Sequence, residues 1–358
     1  MSKDRIDWID NLKAIGIYLM VLGHHETMSN DVVKYIYSFH MPLFFFISGF
    51  LFYYERYPTI KGFALQRIKT LIVPYFVFSF ITFIIFVLFT KIRHPEQIAS
   101  GKVNLIDNFF SIFISANGII MMSHSPPLWF LTCLFLTEIQ FYFICQALGT
   151  VNILLKEVIL IILVTLIMSI FGYLDYLFLN IHFPWGLETS WTIMIIYSSG
   201  YLSKQWLQLH IHKLHSNKIS FLKILPIIFV LITISIISSQ INSFVNLVYN
   251  KTGNYLLFLI SAFTGIVLFL ILSLLLTKVA EQFSLRNILK FIGRNTIFIL
   301  GFNSIGILMY VALTYALNVQ GLYDSKSIIV CAASSVIQIL LILPFIPVTK
   351  KILPIFTR

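Results

Sequence analysis

His24 and Lys13 are the two residues whose types and spacing first suggest chemistry. They lie eleven positions apart in one apolar run, Asn11 to His24. At 100° per residue that separation returns to within about 20° of the same helix face. A rise of about 1.5 Å per residue separates them by roughly 16 Å, so the cation belongs near one membrane surface and the imidazole nearer the other. A neutral imidazole can take the proton of an alcohol, which is the step that acyl transfer to a hydroxyl needs. The same position also suits a histidine hydrogen-bonded to a carbonyl at a helix end. Lys13 can be a snorkelling anchor paired with Asp10 one turn earlier, or a phosphate contact for a cytoplasmic donor.

Ionisable groups inside a bilayer are functional candidates by default, and few are present. His40 falls near the level of His24 on the next apolar run, Tyr35 to Phe52, where it can orient His24, contact an acceptor or simply begin a helix. His25 points about 100° away from His24 and reads as an interfacial residue. Glu138 is the only acid placed deep in a predicted span, as a buried packing group or a site residue. Arg67 and Lys69 open the third span before Pro74, and Arg294 opens the ninth after Gly293, where orientation alone predicts basic residues. His210, His212 and His215 have metal-compatible spacing but no carboxylate or cysteine partners, and they share a basic stretch with Lys213 and Lys218, which reads as a solvated loop with no metal.

The elements that position these residues are membrane helices. Of 358 residues, 58% are hydrophobic and 11% charged, and the mean hydropathy is +0.90. That excludes an ordinary soluble domain and gives an all-α polytopic membrane protein. Ten spans are expected, at about 11–28, 36–54, 70–90, 127–147, 154–171, 189–203, 224–240, 254–277, 295–316 and 328–348. The first is read as uncleaved, since no small-residue cleavage site follows it. With the N-terminus cytoplasmic, 19 of the 25 basic residues fall on the inner side and six on the outer, which supports ten spans with both termini inside. The net charge of +11 therefore reports orientation rather than a nucleic-acid partner.

Three further stretches carry expectations. Asn104 to Met122 is moderately apolar but holds Asp107, Asn108 and Asn117, which fits an interfacial or re-entrant helix. Phe171 to Glu188 is aromatic, either as interfacial anchors or as a stacking platform for a sugar. Cys133, Cys145 and Cys331 fall in predicted spans with neither disulfide nor metal-ligand spacing, so they read as packing residues. The stretch from Lys204 to Lys223 is the longest expected inner loop, and residues 1–358 read as one membrane domain with no appended soluble domain.

Several of these motifs resemble a known family. Asp7 to Lys13 followed by His24 resembles the Arg/Lys-x10-His signature of the membrane acyltransferase-3 family, and Phe39 to Leu51 resembles its F-x-M-P-L-F-F-F-I-S-G-F-L block. Arg67 to Tyr75, Pro127 to Leu131 and Ile292 to Ile297 look like its third-span, fourth-span and late motifs, so the likeness runs in order along most of the chain. The resemblance, nearest to fucose 4-O-acetylases and other polysaccharide O-acetylases, implies transfer of an acetyl group from acetyl-CoA to a hydroxyl of an envelope polysaccharide or lipid-linked glycan at the inner membrane. By carry-over, His24 is the essential histidine and Lys13 the motif cation, with Ser48, Gly49, Arg67, Trp129 and Arg294 as supporting positions.

The expected mechanism holds CoA phosphates near Lys13, Arg67, Lys69 and Arg294, with His24, Glu138 and Ser48 as catalytic candidates. His40, Trp129 and Asn303 are the expected acceptor contacts. Many relatives have a histidine where this chain has Asn303, and an amide can position a hydroxyl but cannot act as a base. A transporter of a glycan or its lipid-linked precursor is the rival reading, because polar groups in broken spans suit a transport path as well.

Overall fold

A computed structural model describes residues 7–25, 27–100, 102–115, 122–148, 155–216, 221–282, 285–322 and 325–353. Lys3, Arg5, Asn117 and the side chains of His210, His212, Lys213, His215 and Lys218 lie outside the described residues. The helices in order are α1 (Asp7–Gly23), α2 (Asn30–Leu51), α3 (Ile60–Arg67), α4 (Val73–Arg93), α5 (Pro95–Ala99), α6 (Leu105–Ile114), α7 (Trp129–Leu148), α8 (Leu155–Leu174) and α9 (Leu187–Thr192). They continue with α10 (Met194–Ser216), α11 (Phe221–Ile241), α12 (Tyr255–Gln282), α13 (Arg286–Arg294), α14 (Thr296–Gly301), α15 (Asn303–Ala316), α16 (Ile328–Ile342) and α17 (Phe345–Ile352). Among the described residues the only β pairing is one isolated bridge, Asn246 with Lys251. The protein is an all-α polytopic membrane protein.

Among the described residues six helical stretches are long and apolar enough to cross a membrane: Ile60–Arg93, Pro126–Leu148, Lys156–Leu179, Ile224–Ile241, Tyr255–Thr277 and Ile328–Ile352. The other four predicted spans fall on α1, α2, the α9–α10 pair and the α14–α15 pair, which are short, polar or interrupted. Burial sorts inner from outer helices. The apolar window of the α7 stretch is 72% buried, whereas those of the α8 and α11 stretches are 22% buried, so α7 is interior and the other two form the outer wall. At the centre α1 packs against α2, α12, α13, α14 and α16.

Two boundaries differ from the sequence expectation. The helix that contains the expected third span starts well before residue 70, at Ile60, capped by the Thr59 hydroxyl, and runs through Arg67 and Lys69. A widened π turn, Ile68–Ile72, lets it pass Pro74: the ring would press on the Thr70 carbonyl of a regular helix, and here Val73 N–H instead reaches back to the Ile68 carbonyl. Likewise the residues from Lys204 to Ser216 are helical rather than loop, as no glycine or proline interrupts α10 there.

Close approach of backbones brings the remaining walls together. A Cβ at Gly49 of α2 would overlap the Tyr197 carbonyl of α10, and one at Gly200 of α10 would overlap the Phe46 carbonyl of α2. Each glycine leaves the room that the backbone of the facing helix occupies. The stretch 104–122 contributes α6, whose Asn104 side chain caps it by accepting the Ile106 N–H and which leaves Ile106, Phe110 and Phe113 exposed. In the aromatic stretch Tyr173 stacks on Tyr255, and the Trp185 indole N–H donates to the Phe113 carbonyl at 2.8 Å. Glu188 and Asp175 are buried there, so Glu138 is not alone as an acid inside the bundle. Glu188 is tolerated because its carboxylate accepts the Phe183 N–H at 3.2 Å.

Candidate active site

His24 follows the last turn of α1, with Nδ1 2.8 Å from the Met20 carbonyl. A carbonyl only accepts, so Nδ1 carries the proton and Nε2 carries the lone pair of the neutral ring. That basic nitrogen lies 3.5 Å from the Tyr37 hydroxyl on α2. His40, one turn beyond Tyr37, repeats the arrangement, with Nδ1 2.8 Å from the Ile36 carbonyl. Its ring centre is 5.1 Å from that of Tyr37, so the three rings form one cluster. All three line a cavity of about 150 Å³ together with Met20, Met41, Trp129 and the 246–249 segment. The helix-end hydrogen bond expected of His24 is present through Nδ1, and it leaves Nε2 beside the Tyr37 hydroxyl.

A second cavity, of about 170 Å³, is lined by Lys13, Ser48 and Thr296 among apolar residues. The same three helices build both. α1 gives Lys13 and Ile17 to this cavity and Met20 and His24 to the first; α2 gives Ser48, Ile47 and Phe44 to this one and Met41, His40 and Tyr37 to the first. α7 contributes Leu134, Leu131 and Phe130 here and Trp129 there. The cavities therefore stand in series along the bundle. The rings of Phe44 and Phe130, 5.8 Å apart, line the second cavity, and Gly16 makes room for the Phe44 ring, since a Cβ there would sit 3.0 Å from it.

The pattern that defines the acyltransferase-3 family, described as an acyltransferase domain, matches residues 6–348. The chain belongs to the acyltransferase-3 family. No curated protein and no solved structure matches it. In this acyltransferase the two motif residues of α1 thus open onto two different cavities, and the motif serine onto that of the lysine.

Other motif positions are engaged with each other or with the scaffold. Arg67 Nε lies 2.8 Å from Glu138 Oε2, and the guanidinium also sits over the Phe63 ring at 5.1 Å. Asp10 Oδ2 is 3.0 Å from Arg294 Nε, because Gly293 lets α13 come against the Asp10 backbone. Asp7 is held in the same way by Arg286 and by Lys290. Lys69 is exposed on the π turn and lines neither cavity, and Asn303 is buried at the start of α15 outside both. Cys133, Cys145 and Cys331 are buried, and among the described residues no group of three or more metal-ligating side chains comes together.

Two residues escaped the sequence reading. Tyr37 was one aromatic among many, and its value lies in being three residues before His40 on the face that meets His24. His124 is buried between Phe83 and Phe86, and neither of its ring nitrogens nor the neighbouring Ser125 hydroxyl has a hydrogen-bond partner among the described residues. The signal was the polar run Ser123-His124-Ser125 directly before the motif prolines.

Proposed function

We propose that the protein transfers an acetyl group from cytoplasmic acetyl-CoA to a hydroxyl of an envelope polysaccharide or lipid-linked glycan, in the manner of fucose 4-O-acetylase-like enzymes of the inner membrane. The observation that supports this best is the pair of cavities in series, one with a cation and one with a base. The charge asymmetry of the loops puts Lys13 on the cytoplasmic side of a ten-span bundle and His24 towards the outside. CoA phosphates are then met by Lys13, with Arg294 and Lys69 adding positive charge at the mouth, and the thioester lies among the apolar walls beside Ser48.

The acceptor hydroxyl enters the His24 cavity, where His40 and Trp129 contact it. His24 Nε2 takes the hydroxyl proton as the oxygen attacks the thioester carbonyl. The carbon–sulfur bond breaks, the new ester forms, and the proton leaves with the CoA thiolate as the free thiol. Glu138 acts through Arg67, holding the third span on α7, and Asn303 stays outside the reacting groups. The test is proton NMR of envelope glycan from cells lacking the gene and complemented with wild type or His24→Ala at equal membrane level. Loss of the acetyl signal in both the deletion and His24→Ala supports the reading. A deletion that changes glycan amount but not acetyl content makes the protein a transporter instead.

A further inference from the structure

The wall of the His24 cavity that faces away from α1 and α2 is the segment Asn246–Tyr249, in the connection between α11 and α12. This connection is held by its own asparagines. Asn242 donates to the Thr252 carbonyl at 2.9 Å and accepts the backbone N–H groups of Ser243 and Asn254. Asn250, at φ +53°, donates to the Gly172 carbonyl and accepts the Thr192 hydroxyl, while the Thr189 hydroxyl donates to the Leu247 carbonyl. Asn246 and Lys251 exchange backbone hydrogen bonds of 2.7 and 3.0 Å. A loop tied at so many points to α8 and α9 is a fixed wall rather than a mobile flap.

Asn246 differs from the other two asparagines. Its Oδ1 accepts the Val248 N–H at 3.2 Å, but its amide NH₂ has no partner among the described residues, and the side chain lines the cavity. The lining as a whole offers neutral groups only: the Asn246 amide, the Tyr37 hydroxyl, two imidazoles, and the Trp129 and Tyr249 rings. Among the described residues it contains no Lys, Arg, Asp or Glu. Lys251 lies over the Tyr249 ring, 5.7 Å from its centre, and is not part of the lining. A carboxylate or phosphate brought into such a cavity loses its hydration and gains no counter-charge. The hydroxyls of a neutral sugar find donors, acceptors and flat apolar faces.

We infer that the 246–249 segment is the specificity wall of the acceptor site, that Asn246 hydrogen-bonds the acceptor, and that the sugar unit acetylated is a neutral one. This rests on the reading of the His24 cavity as the acceptor site. Asn246→Asp is the informative variant, because a carboxylate oxygen keeps the Val248 cap while the donor is lost and a negative charge enters the cavity.

The experiment is two-dimensional NMR of the acetylated glycan from cells expressing wild type, His24→Ala or Asn246→Asp at limiting, matched levels, with the melting temperature of each purified protein as a check on folding. The expected result is a His24-dependent acetyl ester on a neutral sugar, reduced at least several-fold by Asn246→Asp at unchanged melting temperature. A His24-dependent ester on a uronic or sialic acid overturns the inference and leaves the acetyltransferase reading standing. So does an Asn246→Asp protein with wild-type acetylation. Absence of any His24-dependent ester overturns the reading and the inference together.

Discussion

Arg67 on α3 and Glu138 on α7 are partners, with Nε 2.8 Å from Oε2 and the glutamate side chain only 4% exposed. Removing one member leaves the other charge inside the bundle without its counter-ion. Glu138→Ala is therefore expected to cost roughly 3 kcal/mol or more of stability, seen as a lower melting temperature in detergent. Replacing both, as Arg67→Leu with Glu138→Leu, should recover much of the loss. A Glu138→Gln protein of wild-type melting temperature and no transfer activity would instead make the carboxylate a chemical participant.

The orientation of His24 gives a kinetic expectation. Because Nδ1 is committed to the Met20 carbonyl, Nε2 is the only nitrogen available as a base. His24→Ala should lower kcat by about 10²- to 10⁴-fold with little change in the KM for acetyl-CoA. Tyr37→Phe removes the hydroxyl 3.5 Å from that nitrogen but not the base itself, so the fall should stay within about tenfold, roughly 1.4 kcal/mol. Release of CoA thiol, followed continuously, measures both; equal losses in the two variants would make Tyr37 as essential as His24.

Lys13 lines the other cavity, so its removal should act on the donor. Lys13→Ala is expected to raise the KM for acetyl-CoA by about tenfold, equivalent to roughly 1.4 kcal/mol, with a smaller change in kcat. Salt separates charge from packing: higher ionic strength should raise the wild-type KM and leave that of Lys13→Ala nearly unchanged. Matching salt dependence in the two proteins would assign Lys13 to anchoring alone.

The legible part of this molecule is the part whose signal is local. A lysine and a histidine on one helix face, with polar residues set into apolar runs, single out α1 and α2, because bilayer helices make every such residue costly; the two cavities that these helices line became visible only in the fold. Helix continuity was less legible. The third span was expected from about residue 70, but helix already runs from Ile60 and a π turn at Ile68–Ile72 carries it past Pro74. Pairings between distant residues were not legible at all: Arg67 finds Glu138, Asp10 finds Arg294, and the 242–254 loop is tied to Gly172 and Thr192, all by packing that no spacing encodes.

The α2–α10 contact offers a stability test independent of chemistry. At Gly49 and Gly200 an added methyl meets backbone carbonyls of the facing helix, which cannot rotate away as a side chain would. Alanine at either position should cost about 1–3 kcal/mol or more and reduce the monodisperse fraction on size-exclusion chromatography. Gly321→Ala is the control, as nothing lies within 4 Å of the new methyl. Wild-type behaviour of Gly49→Ala would mean that the two helices can separate without loss.

The clamp between α1 and α13 sets a pH dependence. Burial by itself would raise the Asp7 carboxyl above its ordinary value of 3.8, but its hydrogen bonds to Lys290 and Arg286 outweigh this and hold it lower. A carboxyl depressed in the folded state contributes stability that is fully present above the ordinary value and is lost as pH falls through the folded one. The melting-temperature gap between wild type and Asp7→Asn should therefore be constant from about pH 8 down to about pH 5 and should close only in more acidic solution. Because Asp7 lies at the first turn of the helix that carries Lys13 and leads into His24, opening this clamp frees the end of α1, and donor binding should weaken over the same acidic range. A gap that closed near pH 6 to 7 would assign the titration to a group other than Asp7.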